Sequence, residues 1–468
     1  MKNTIKILTA FLFLVTHSHA QCFSKLSLVY AHVNAQKTDG TFWGWGTNTL
    51  GSLGFADLLD VYVPTQIPNS GDWQSVYSGR FNSFAIKSNG TLWGTGHNLY
   101  GCLGVGSTAE VIVPYAQIGT ATNWKQVAGN YYTIGLKTDG TIWGWGQNVG
   151  YEMGDGTCCA DRLFPGQIGT DTDWKQIGAT IARAAFALKE NGTLWCWGTN
   201  IAGLLGDNLV TARPFPTQHN PENDWDHIEV GKAHVLMLKT NGTLWSWGSG
   251  GTGATGDGLS PSFNRYLPRQ IGSDNTWTVV SAGDNFSMGI KADGTLWGWG
   301  SNDVNQLGDG SGINRFLPVQ IGTDTNWQTV TCGYLNAAAI KTDGSLWTWG
   351  SNDYGQLGNG TITPESTPTY LPVTGCTLTT EDFASQINNL QLSPNPASSQ
   401  LTLSYKGSQT VNAIVIYDFL GREVYSRQPV AGQSFSATIP VSQFKEGGYL
   451  LVLQNNGQTV VSKKWMKQ

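Results

Sequence analysis

The chain has 468 residues, of which 40% are hydrophobic and only 13% charged, and a formal net charge of −5. No basic surface recommends nucleic acid as a partner. Glycine makes up 60 of the residues and no amphipathic 3.6-residue period spans a long stretch, which excludes a helical repeat.

Met1 to Ala20 reads as a secretory signal peptide. Lys2 and Lys6 supply the positive start, Ile7 to Val15 an apolar run too short to cross a bilayer, and Ser18-His19-Ala20 a small-residue cleavage site. The mature chain would begin at Gln21, a poor residue before a lipidated Cys22. No later segment is long and apolar enough for a transmembrane helix.

Residues 21–376 repeat one phrase seven times: Asp-Gly or Asn-Gly, a small hydroxyl residue, an apolar residue and Trp, with Gly one or three places on. The turn glycines are Gly40, Gly90, Gly140, Gly192, Gly242, Gly294 and Gly344, spaced 50 to 52 residues apart. Such dipeptides between apolar runs mark hairpins, because the central residues of the turn need positive φ. Behind the turn, Thr141-Ile142-Trp143-Gly144-Trp145-Gly146 puts Trp143 and Trp145 on one sheet face. Ahead of it stands a leading Trp (Trp73, Trp124, Trp174, Trp225, Trp277, Trp327), with Val or Ile three places on and with Phe23 and Leu26 in the first unit. A last strand is expected after a proline, as in Pro318-Val319-Gln320-Ile321, with Pro372-Val373 ending the seventh unit. Four short strands, seven times over, predict an all-β fold, a seven-bladed β-propeller, because a closed ring removes the exposed sheet edges of an open stack. If the ring closes, the ends of the array meet, and a disulfide between Cys22 and Cys376 is expected. Cys158 and Cys159 are adjacent and could pair elsewhere or stay free.

The units Trp277 to Gly308 and Trp327 to Gly358 resemble repeats of the regulator of chromosome condensation family. The carrying residues are Ala282-Gly283, the run Asp293 to Asn302, and Gln306-Leu307-Gly308, with Gln356-Leu357-Gly358 in the next unit. The family often has a His nine residues after the leading Trp, a position held here by His32 and His234. The resemblance covers residues 23 to 375 and implies the propeller. It also implies a scaffold able to bind other proteins through loops at one end of the ring. The nucleotide-exchange residues of the family's namesake cannot be mapped onto this chain.

Residues 377–390 read as a polar linker. Residues 391–468 carry Ser393-Pro394-Asn395-Pro396, alternating runs such as Leu401 to Tyr405 and Ala413 to Tyr417, a turn at Leu420-Gly421-Arg422, then Gly448 to Leu453 and a basic end, Lys463-Lys464-Trp465-Met466-Lys467. These predict a small C-terminal antiparallel β-sandwich. Their order resembles the type A C-terminal sorting domain of the type IX secretion system. That resemblance implies the type IX machinery as a partner and a mature protein secreted or held at the outer cell surface.

Chemical motifs mostly dissolve. Asp39, Asp139, Asp293 and Asp343 share their slot with Asn89, Asn191 and Asn241, which suits a turn residue and not a catalytic carboxylate. Gly256-Asp257-Gly258 and Gly308-Asp309-Gly310 hint at calcium without supplying the ligand series of an EF-hand. No Cys-x-x-Cys pair or Ser/His/Asp set stands out, and no metal or cofactor is expected. What varies between units is the residues just past the first strand. Tyr30, Arg80, Phe81, Tyr131, Tyr132, Asp284, Asn285 and Tyr334 are the candidate ligand-binding residues there, with Ile181 and Lys232 in the same ring. Aromatic anchors among polar neighbours suit recognition; the competing reading is that they cap the central channel. The function expected is a monomeric module that binds an extracellular protein or glycan. The alternative is an extracellular hydrolase or lyase at the channel mouth, which convergent carboxylates or a histidine cluster there would reveal.

Overall fold

Each hairpin turn is closed by a three-residue relay. In the computed structural model, Asp139 Oδ1 accepts the Thr141 N–H (3.0 Å) and hydroxyl (2.7 Å), and Thr141 Oγ1 accepts the Trp143 indole N–H at 2.9 Å. The same relay recurs in the other six units, with Asn89, Asn191 and Asn241 replacing aspartate and Ser345 replacing threonine. Either side chain offers the one oxygen the turn needs. Gly140 adopts φ +78°, and a Cβ there would lie 2.0 Å from the Thr172 carbonyl oxygen. The lysine that ends the preceding strand lies over the same indole, as Lys37 does over Trp43 at 3.5 Å and Lys341 over Trp347 at 3.7 Å.

The structure describes residues 23–259, 263–373, 390–418, 422–428, 432–455 and 458–468. These fall into two compact units, one on either side of residue 376. The signal peptide, Cys22, Cys376 and residues 377–389 of the linker lie outside the described residues. Cys158 and Cys159 are bonded to each other.

The first unit contains seven four-stranded antiparallel sheets, each made of consecutive strands. The first is Phe23–Leu28, His32–Lys37, Phe42–Gly46 and Val61–Gln66; the seventh is Trp327–Cys332, Asn336–Lys341, Leu346–Gly350 and Glu365–Tyr370. The outermost strand begins before its proline: Pro318 lies inside Arg315–Gln320, where the ladder is irregular. Pro368 is therefore its counterpart in the last blade, and Pro372 falls past the strand, which corrects the expected boundary. An edge strand tolerates the missing N–H.

The ring is closed. Phe23, Val33, Ala35 and Trp45 of the first blade share one buried cluster with Ala338, Ile340, Leu346 and Leu371 of the seventh. The second Trp of the third strand is hydrogen-bonded to the neighbouring blade wherever it occurs except in the third blade, where Trp145 Nε1 has no partner among the described residues. Trp349 Nε1 donates to the Gln306 carbonyl at 3.0 Å, and Trp197, Trp247 and Trp299 do the same to Glu152, Leu204 and Ala254. This explains the Gln-Leu-Gly motif: Gly308 has φ +76°, and a Cβ on it would stand 2.8 Å from the Trp349 ring. The second blade has Thr95 where the others have this Trp. There Tyr115 fills the space, its ring centroid 4.5 Å from that of Trp73.

The second unit is a β-sandwich. A three-stranded sheet (Leu390–Ser393, Gln400–Val411, Gly432–Pro440) and a four-stranded sheet (Glu423–Arg427, Ala413–Asp418, Gly447–Asn455, Gln458–Lys467) share one core that includes Leu401, Leu403, Ile414, Leu451 and Trp465.

Candidate binding site at one end of the ring

The loops joining first and second strands are tied to one another around the channel. Tyr334 N–H donates to the Tyr30 carbonyl (3.0 Å), Asp284 N–H to Gly333 (3.2 Å) and Lys232 N–H to Gly283 (3.2 Å). This main-chain collar joins the loops of Tyr30, Tyr334, Asp284-Asn285 and Lys232, and side-chain contacts add Arg80, Phe81 and Tyr131. Beneath it the first strands enclose a cavity of about 190 Å³ lined in part by Ser78, Gln126, Gln176, Glu229 and Ser281.

The mouth has two different halves. One is aromatic: the Tyr30 ring lies 4.8 Å from Phe81 and 4.9 Å from Tyr334, and the chain continues from Phe81 to His97 (6.0 Å), Tyr131 (6.2 Å) and Tyr100 (6.2 Å). Arg80 sits among them, its guanidinium 5.4 Å from Tyr30, 5.0 Å from Phe81 and 6.0 Å from Tyr131. Burial, then the neighbouring Tyr354, pushes the Tyr30 phenol above its ordinary pKa, against the pull of Arg80. The other half is charged. Asp284 Oδ2 accepts from Lys232 Nζ at 3.1 Å and from Asn285 Nδ2 at 2.7 Å. Burial raises the Asp284 carboxyl above the usual range while Lys232 opposes it. Arg80 Nε and Asp284 Oδ1 are buried without a hydrogen-bond partner among the described residues.

Tyr132 does not join this group, a correction to the sequence reading. It is 1% exposed, and its hydroxyl donates to the Ala184 carbonyl of the next blade at 2.7 Å. It opens the second strand, opposite Gly146, as His32 does opposite Gly46 and His234 opposite Gly248. Those imidazoles contact the hydroxyls of Ser83 (3.1 Å) and Ser287 (2.8 Å) in the next blade, so the slot is an inter-blade spacer.

Residues 127–389 match the RCC1-like domain, more than half of the chain. The chain belongs to the RCC1-like domain family. Residues 39–86 also match the regulator of chromosome condensation (RCC1) repeat, and residues 391–468 match the secretion system C-terminal sorting domain. No curated protein matches the chain. Among solved structures, yeast RCC1 (Prp20), determined bound to Kap60, is 19% identical with a TM-score of 0.64, over 84% of this chain and 93% of that one. Human WBSCR16 is 17% identical with a TM-score of 0.64, over 72% and 95%. These likenesses establish the fold. The sorting domain implies export by the type IX secretion system to the cell surface or extracellular space. Among the described residues no helix is long and apolar enough to cross a membrane.

In this RCC1-like propeller the calcium hint is absorbed by ion pairs. Asp207 and Asp309 meet Arg213 and Arg315 at 2.7 Å, and Asp257 and Asp155 are held by Arg265 and Arg162, each at the opening of the outermost strand. Among the described residues no group of three His, Cys, Asp or Glu could hold a metal. At the mouth, Asp284 is engaged by Lys232, and His97 is buried among aromatic rings with a lowered pKa. The sequence reading missed His97 and Tyr100. They come from the third strand and the loop after it, which antiparallel order returns to the same end as the first loops. The signal was there: Asn98-Leu99-Tyr100 and Asn352-Asp353-Tyr354 put exposed tyrosines directly after the repeated Trp-Gly runs.

Proposed function

We propose that this exported RCC1-like propeller is a protein-binding module whose partner docks on the aromatic half of the channel mouth. The observation that carries this reading is the continuous belt from Tyr100 through Tyr131, His97, Phe81 and Tyr30 to Tyr334, with Arg80 inside it. Aromatic and arginine side chains in a rigid frame are the usual energetic anchors of protein interfaces. The rings pack on one another and on Arg80, so they offer edges and hydroxyls on a plugged surface, where a sugar would need an open ring face. Leu99, Val149, Ile201 and Tyr354, exposed in loops after the third strands, extend the apolar area around the mouth.

The test is capture from the organism's own extracellular medium by the full chain, with Phe81→Ala/Tyr131→Ala as the comparison. A protein held by the wild type and lost from the double variant, at equal thermal stability, is the expected result. Equal capture by both sinks the proposal.

A further inference from the structure

The first blade departs from its sisters on the face it turns toward the second. At the third position of the second strand the other blades carry Phe84, Ile134, Phe186, Leu236, Met288 and Ala338; the first carries Asn34. Two residues on, the other six blades carry Ile or Leu, and the first carries Gln36. The apolar cluster there shrinks to Phe42, Ile67, Trp73 and Ala85. A polar group in a core slot is costly unless its hydrogen bonds are met. Asn34 is 1% exposed; its Nδ2 donates to Ser78 (3.0 Å) and Ser83 (2.8 Å), but its Oδ1 has no partner among the described residues. Thr329 Oγ1 is in the same condition.

Both atoms belong to residues lining one recess of about 330 Å³ beside the first strand of blade one. Gln36 and Ser75 add an amide and a hydroxyl, and Phe42 and Tyr77 add aromatic rings. Among the described residues no carboxylate lines it, and its one cation, Lys25, is exposed. We infer that this recess is a binding site for a neutral sugar unit of hexose size. Amides and hydroxyls match a polyol's alternating donors and acceptors, and the rings match its C–H face. A cationic ligand would find no carboxylate, and an anionic one no buried cation. The volume suits a single unit, near the small end of ligand pockets. This site is separate from the loop surface and independent of what docks there.

The experiment is saturation-transfer NMR on the full chain with D-glucose, D-galactose and D-mannose in turn. The wild type transfers saturation to at least one of them with millimolar affinity. Asn34→Leu/Gln36→Ile, which installs the residue types of the sister blades, cuts the transfer about tenfold and leaves thermal stability unchanged or raised. Should that variant fold poorly, Thr329→Val carries the test, reducing transfer at wild-type stability. Phe81→Ala/Tyr131→Ala leaves the sugar signal intact. No transfer from any of the three sugars, or undiminished transfer in a folded recess variant, overturns the inference and leaves the recess as a place for ordered water.

Discussion

The indole N–H of Trp45 donates a 3.1 Å hydrogen bond to the main-chain carbonyl of Gln356, 311 positions away in sequence. It joins the first blade to the seventh in the same way that Trp349 joins the seventh to the sixth. Among the described residues no strand crosses this seam, so buried side chains, this bond and the main-chain bonds from Tyr334 to Tyr30 (3.0 Å) and from Gly360 to Tyr62 (2.9 Å) hold it. Trp45→Ala should cost about 3–5 kcal/mol, and Trp45→Phe, which keeps most of the packing, about 1 kcal/mol. Denaturant titration of the full chain measures both; an alanine variant as stable as the wild type would show that the seam contributes little.

The hairpin relay predicts tolerance for an amide and sensitivity to its loss. Asp139→Asn should be nearly neutral at pH 7, as Asn89 already does this work, whereas Asp139→Ala should cost about 1 kcal/mol. The Thr141 and Thr295 hydroxyls chiefly hold the carboxyls of Asp139 and Asp293 below their ordinary pKa. Their folded values are depressed, so the stabilisation is full above the ordinary carboxylate range and lost as pH falls through the folded values. Melting temperature against pH should accordingly fall less steeply at the acid end in Asp139→Asn/Asp293→Asn than in the wild type.

Acid should also act through the inter-blade histidines. Burial lowers the pKa of His32 and His234 from 6.5 to about 4. Both stay neutral when folded while the unfolded chain takes up protons, so stability present above pH 6.5 declines as pH falls toward the folded value of about 4. Asn82 and Asn336 occupy the same slot in other blades. His32→Asn/His234→Asn should therefore flatten the melting profile across this window, and an unchanged profile would mean that other groups set the acid response.

Neighbouring tyrosines should behave oppositely. Tyr132→Ala should destabilise by about 3–5 kcal/mol, and Tyr132→Phe by about 1 kcal/mol, because Thr180 still donates to the Ala184 carbonyl. Tyr131→Ala should change stability by less than about 0.5 kcal/mol. Thermal melts of the three variants decide; a destabilising Tyr131→Ala would place that ring in the core.

Local chemistry made the blades legible. Asp139-Gly140 needs only its own neighbours to turn, and Trp145 and Gly104 fit each other wherever the repeat places them. The candidate site was legible where the residue count held, as from Trp73 to Arg80 and from Trp277 to Asp284. It failed at Tyr132 because Trp124 and Lys137, paired across the sheet, are one residue closer in sequence than Trp73 and Lys87. One deletion in a loop reverses which of two adjacent tyrosines faces solvent. His97 and Tyr100 were hidden for another reason: the third strand carries His97 back beside Phe81 of its own blade, and only the ring geometry brings His97 and Tyr100 beside Tyr131 of the next.

Among the described residues every sheet in the ring is woven from one uninterrupted stretch of chain, with no segment borrowed from the far terminus. The circle consequently has no dedicated clasp, and any of its seven boundaries could serve as the point where the polypeptide enters. A permuted gene opening before Trp124, with residues 373 and 23 bridged, would encode the same wheel. A lineage could by the same logic copy or swap single spokes, re-tooling the face without redesigning the hub.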